Sequence, residues 1–383
     1  MSTRLEHAHM TRPTAGRSGA ATVLLGTALS LVGITWDVQW HVDVGPDTFF
    51  TLPHLLLYSG SAVSGLASLA MVLAATAARR AGRDAAEIAG GPPVRALGVF
   101  TAPLGYLVSG VGAASFLLYG LIDLYWHSVY GFDATLASPP HIALFSAITV
   151  TMVGAVIVYG SSRHERWGRA GLLVSLPILM MFSPITTNAV KDLPLPFDPM
   201  TAGTAFFGVM LLVVGLATVG RPGTALGVAA VLGVMQAALW LFAPFAAHAY
   251  AGAVGLPLRD NLGGKPPELP AGIPMFLLLA AAALEGVLWL AARRGWSPRW
   301  APSVGGALAG LIVSVSFALQ GPLIGGDPAP AGAALAVGAL AAAGFGALGA
   351  FLGWRFAGML RGDAEAAAAP VPGPSLAVEG LQP

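Results

Sequence analysis

Residues 19–78 read GAATVLLGTALSLVGITWDVQWHVDVGPDTFFTLPHLLLYSGSAVSGLASLAMVLAATAA. Two apolar runs, 19–41 and 52–78, flank a short polar stretch. A helix that crosses a hydrocarbon core needs about 20 mostly apolar residues, and each run has them. Gly45 permits a tight turn, and Pro53 suits the first turn of the helix that follows. The stretch therefore reads as a transmembrane helical hairpin with a polar tip.

The same reading extends along the chain. Further apolar segments lie at about 97–127, 139–160, 169–187, 201–220, 224–247, 273–292, 303–320 and 333–356, ten in all. Composition agrees: apolar residues make up 56% and charged residues 10%, and the mean hydropathy is +0.74. An average soluble chain carries about 25% charged residues. The expected fold class is all-α, a polytopic bundle of about ten transmembrane helices in a lipid bilayer. With the N-terminus inside, sixteen of the 19 Lys and Arg residues fall in cytoplasmic segments, and Lys191, Arg259 and Lys265 fall outside. The positive-inside rule thus predicts cytoplasmic termini and five hairpins that open outward, in the plasma membrane. The polar start lacks the pattern of a cleavable signal peptide. The expected organisation is a cytoplasmic segment 1–18, a duplicated four-helix unit 19–160, a scaffold or partner-facing half 161–360, and a disordered tail 361–383.

The polar tip recurs. Asp37, Trp40, His41, Gly45 and Asp47 spell D-x-x-W-H-x-x-x-G-x-D, followed by Pro53 and His54. Asp123, Trp126, His127, Gly131 and Asp133 spell it again, followed by Pro140 and His141. The offset is 86 residues at the first aspartates and 87 at the last histidines. Asp37 and His41 are i and i+4 on a helix, as are Asp123 and His127, so each pair shares one face. A hairpin brings His54 or His141 back to that pair. Each set offers two imidazoles and a carboxylate, which suits a divalent transition metal with open positions. Geometry favours iron, imidazole also suits copper and zinc, and copper binds most tightly in the divalent series. The chain has no cysteine, so thiolate ligands and disulfides are excluded. Asp47 and Asp133 are expected behind the ligands, orienting a histidine through its other ring nitrogen. Trp40 and Trp126 are expected to shield the sites or anchor them at the interface. Asp43 has Val129 as its counterpart and ranks lower. The plainer alternative is a pair of Asp/His hydrogen-bonded loop staples.

At these residues the chain resembles the C subunit of the copper membrane monooxygenases, the particulate methane and ammonia monooxygenases. That family carries D-x-x-W-H, then D-T-x-F-T, then a histidine ahead of aromatic, glycine and serine residues. Here these are Asp37, Trp40 and His41, then Asp47, Thr48, Phe50 and Thr51, then His54, Tyr58, Ser59, Gly60 and Ser61. His127 and His141 match the spacing of the family's second set, with Asp123 where the family has asparagine. The resemblance covers residues 19–160. It implies copper, oxidation of a small apolar substrate at the outer face, and further membrane subunits or a homo-oligomer as partners. A non-catalytic copper-binding, transport or accessory protein and a purely structural membrane protein remain the alternatives.

Elsewhere Glu285 stands mid-segment in an apolar run and His248 stands alone in an outer loop. Glu285 is expected to be a protonated acid bonded to a neighbouring helix, with a functional role as the alternative, and His248 to be interfacial, with a stray third ligand as the alternative. Gly305, Gly306 and Gly310 are expected to permit close helix packing. No phosphate loop, nucleophile elbow or nucleic-acid motif is found in the sequence.

Overall fold

The computed structural model describes residues 14–362 apart from 46, 85–87, 132–137, 189, 261, 263–264, 298–299, 327 and 331. Asp133 and the tail 363–383 lie outside the described residues. The elements in order are α1 Thr14–Asp43, α2 Leu52–Arg80, β1 Pro93–Ala96, β2 Phe100–Pro103, α3 Leu104–Tyr130 and α4 Pro139–Ser161. They continue with α5 Arg166–Met181, α6 Ser183–Asn188, α7 Pro199–Val219, α8 Thr224–Val254, α9 Glu268–Ala271, α10 Leu277–Arg293, α11 Ala301–Leu323 and α12 Ala333–Arg361. The chain is an all-α polytopic bundle. Among the described residues nine helical spans are long and apolar enough to cross a membrane, with α5 and α6 counting as one span, Arg166–Thr187.

Two expected segments differ. The third was expected from residue 97, but 93–103 folds as an antiparallel hairpin and the helix starts at Leu104. Pro93 and Pro103 bracket it, and Leu97 and Gly98 turn it with positive φ. The eighth expected segment, 273–292, yields only the 17 residues of α10. That is about 26 Å of helix, short of a hydrocarbon core of about 30 Å. Residues 272–276, with Gly272 and Pro274, stay out of the helix. Two buried glutamines from distant helices bond this backbone. Gln236 Nε2 donates to the carbonyls of Pro270 (2.8 Å) and Ile273 (2.9 Å). Gln320 Nε2 donates to those of Ala271 and Ile273, and its Oε1 accepts from Met275 N–H at 2.8 Å. Irregular backbone at membrane depth is tolerated where protein buries and satisfies it in this way.

Small residues set the helix spacing. Gly26 and Gly60 face each other between α1 and α2, and Gly112 and Gly154 sit against the facing backbone between α3 and α4. Ser30 Oγ donates to Leu57 O across the first pair. Gly306 and Gly310 of α11 meet Ala350, Gly346 and Ala342 of α12, the close packing expected of them. Both hairpins are antiparallel, so the C-terminal ends of α1 and α3 and the N-terminal ends of α2 and α4 share one end of the bundle. The opposite end carries the arginines: Arg163 donates to the carbonyls of Leu360 and Arg361, and Arg361 to that of Ala217.

Candidate metal centres

The first set is built where α1 ends and α2 begins. Asp37 and His41 stack one turn apart on α1. The chain leaves the helix at Gly45, whose φ is +101°, a conformation that strains residues with a side chain. Asp47 then organises the turn: its Oδ1 accepts from Thr48 N–H (2.6 Å) and from the Thr51 hydroxyl (2.7 Å). Thr51 is the N-cap of α2, Pro53 opens the helix, and His54 lies in its first turn. His54 Nε2 is 3.1 Å from Asp37 Oδ1 and 3.3 Å from Asp47 Oδ2. His41 Nε2 is 3.2 Å from Asp47 Oδ2 and 3.9 Å from Asp37 Oδ1.

The second set repeats the placement on α3 and α4. His127 Nε2 is 3.3 Å from Asp123 Oδ2, and His141 Nε2 is 3.4 Å from Asp123 Oδ1. Gly131 caps α3 with φ +87°, and Ser138 caps α4 by accepting from His141 N–H.

In each set the donor atoms lie within 4.8 Å of one another. Donors at about 2.0–2.2 Å from a shared ion are at most about 4.4 Å apart, so a shift of a few tenths of an ångström completes either shell. The other ring nitrogens are already engaged. His54 Nδ1 is 3.1 Å from the Thr48 carbonyl, and His127 Nδ1 is 3.1 Å from that of Gly131. A carbonyl only accepts, so these Nδ1 atoms carry the hydrogen and, in a neutral ring, Nε2 presents its lone pair. His141 Nδ1 lies 3.0 Å from Ser138 Oγ. The carboxylate side matches: Asp37 Oδ1, Asp47 Oδ2 and Asp123 Oδ1 are enclosed and accept no directed hydrogen bond among the described residues. Lone pairs and carboxylate oxygens at this range repel unless a metal ion or a proton lies between them.

Asp47 thus stands in front of the histidines, level with Asp37, not behind them. The orienting role expected of it belongs to the Thr48 carbonyl. The expected counterpart, Asp133, is outside the described residues. Neither tryptophan is among the described residues that line the sites. Trp40 is 1% exposed, points to the other face of α1 and packs on Val44, Ala251 and Tyr250. Trp126 is half-buried against Tyr130. Asp43 belongs to a separate cluster, bonded to Gln39 and to His248.

Both sets open into one cavity of about 600 Å³. Tyr58 lies between them, its ring packed on Phe49 and Phe116 and edge-on to His54. Gly120 leaves room for that ring on α3. Ile185, Arg259, Lys265 and Glu268 complete the wall from beyond residue 160, so the half expected to be scaffold helps to enclose the sites. The expected ligands were legible as a repeated motif. Arg259 and Lys265 were visible only as two of the three basic residues outside the arginine-rich end. Comparison with protein-family models, with curated proteins and with solved structures finds no match.

Proposed function

We propose that this chain is an integral membrane protein that binds transition-metal ions at two neighbouring centres. Asp37, His41, Asp47 and His54 hold one, and Asp123, His127 and His141 hold the other. The observation that carries the reading is the polarity of the histidines. His54 and His127 give Nδ1 to a backbone carbonyl. His54 turns Nε2 toward Asp37 Oδ1 and Asp47 Oδ2, and His141 turns its Nε2 toward Asp123 Oδ1, oxygens that accept no directed hydrogen bond among the described residues, while His127 Nε2 meets Asp123 Oδ2. One ion answers all of these donors together, whereas protons answer them singly. Hydrogen bonds to the outer ring nitrogen are what metal-ligating histidines ordinarily have.

Copper leads, on its place in the divalent affinity order and on the sequence resemblance of residues 19–160 to the copper membrane monooxygenases. Iron and zinc come next. Bound copper supplies one-electron and oxygen chemistry. The chain supplies the rest: carbonyls that hold the imidazoles, and apolar side chains such as Ile34, Leu57, Phe116 and Leu144 that exclude water. Oxidation of a small substrate in this cavity is the activity that suits the arrangement, with electrons from an outside donor. The positive-inside rule assigns the arginine-rich end to the cytoplasm, which puts the centres on the extracytoplasmic side of the plasma membrane.

The test is elemental analysis with paramagnetic resonance on purified wild type, His41→Ala and His127→Ala. Each variant is expected to lose about one metal ion per chain while the other centre keeps its signal. Full wild-type metal content in both variants would refute the assignment.

A further inference from the structure

The shared cavity has a wall that the metal reading does not use. Residues 255–267, which join α8 to α9, line it with Arg259, Asp260, Leu262 and Lys265. Of Lys191, Arg259 and Lys265, the described basic residues at this end of the bundle, the last two are cavity residues. Arg259 is held in place. Its N–H donates to the Asp43 carbonyl at 2.7 Å, and its guanidinium lies against Gly45, where a Cβ would overlap it. Among the described residues it has no carboxylate within ion-pair distance. The backbone of Arg259 is anchored while its side chain is exposed, and a guanidinium without a carboxylate partner over a cavity is a binding group for planar oxyanions. Other parts of the lining are apolar, with Ile34, Leu57, Phe116, Leu144 and Ile185. About 600 Å³ falls within the usual range for small-molecule sites.

We infer that the cavity binds a small organic anion, a carboxylate or comparable oxyanion on a short apolar body, with its charged end at Arg259 and Lys265. The inference rests on the metal reading for its charge balance. Five carboxylates (Asp37, Asp47, Asp123, Asp260 and Glu268) and two cations line the cavity, a net of three negative charges with neutral imidazoles. Two divalent ions displace any proton from the facing imidazole nitrogens and turn that into a net of one positive charge, so the anion binds the loaded protein more tightly than the empty one.

The test is calorimetric titration of hexanoate, and of hexan-1-ol as its neutral counterpart, into the full chain in phosphatidylcholine nanodiscs. Metal content is measured on the same samples, before and after chelation. Hexanoate is expected to bind the metal-loaded wild type about tenfold or more tightly than hexanol does. Arg259→Gln and Lys265→Gln are each expected to weaken hexanoate about tenfold while leaving hexanol binding and metal content unchanged. Arg294→Gln, at the opposite end, changes nothing. Equal binding of acid and alcohol, or hexanoate affinity unchanged in both cavity variants, overturns the inference. Metal-replete protein that ignores hexanoate overturns it and spares the metal reading. Chelated protein that binds hexanoate as tightly as the loaded protein overturns the charge balance and with it the inference, and a chain that takes up neither metal nor hexanoate overturns both readings. Nanodiscs that contain phosphatidylglycerol separate the sources: displacement of hexanoate identifies a lipid headgroup, and undiminished binding identifies a soluble acid.

Discussion

Asp47 divides its two oxygens between folding and binding. Oδ1 ties the turn between α1 and α2 through Thr48 and Thr51, and Oδ2 faces His41 and His54. Burial by itself would raise the pKa of this carboxyl. The close approach of His41, the charge of His54 and the Thr51 hydroxyl outweigh it and hold the carboxyl below its ordinary value of 3.8. A depressed pKa contributes stability that is fully present above the unfolded value and is lost as pH falls through the folded one. In chelated protein, Asp47→Asn is therefore expected to lower the melting temperature at about pH 6, and its gap from wild type is expected to close below about pH 4. A gap of constant size down to about pH 2 would leave only a packing role. In loaded protein the same variant is expected to weaken the first centre by about tenfold or more and leave the second unchanged, read by metal competition titration. The sequence spacing marked Asp47 as part of the motif. Its position in front of the histidines was not legible, because it depends on which group the Thr48 carbonyl accepts from.

At the scale of elements, Glu285 separates a functional appearance from a structural role. It is a lone carboxylate in an apolar segment, and α10 places it beside the start of α8. There Oε2 accepts from Gly223 N–H, and Oε1 accepts from Ala225 and Leu226 N–H. These are among the donors that a helix N-terminus leaves unpaired, and a negative charge suits that end of the helix dipole. Glu285→Ala is expected to cost about 1–2 kcal/mol of stability, by analogy with the loss of an ordinary cap, with Glu285→Gln recovering part of it. Metal content stays at the wild-type level in both. A loss of metal with an unchanged melting temperature would contradict the cap. Hydropathy located nine spans, with ends displaced by up to seven residues (97 against Leu104, 247 against Val254), because each long helix pairs its own backbone groups and needs only apolar side chains. It failed at 93–103 and 272–276, where the outcome depends on other segments. Gln236 and Gln320 hold the second of these from two different helices, and no local window contains both.

At the scale of the whole molecule, one helix joins the halves. The face of α1 with Asp37 and His41 looks into the cavity, and the face with Trp36, Trp40 and Asp43 packs on the end of α8. Asp43 Oδ2 meets His248 Nε2 at 2.9 Å, its carbonyl accepts from Arg259 N–H, and Gln39 Oε1 accepts from Glu268 N–H. These bonds fasten the α8–α9 connection over the cavity. The sequence showed His248 standing alone, because its partner lies 205 residues away. A connection held by a few polar bonds opens more readily than a packed helix. Removing His248 takes away a hydrogen bond to a charged group, about 1.5 kcal/mol or more, which corresponds to about a tenfold larger open population. The chain has no cysteine, so one introduced at Ile185, a cavity residue only 8% exposed, reports that opening. In Ile185→Cys protein, adding His248→Ala is expected to speed labelling by a water-soluble maleimide about tenfold, with metal content unchanged. Asp43→Asn should accelerate it similarly, since it weakens the same contact from the α1 side. If neither substitution alters the labelling rate, these bonds do not control access, and the cavity is reached by another route.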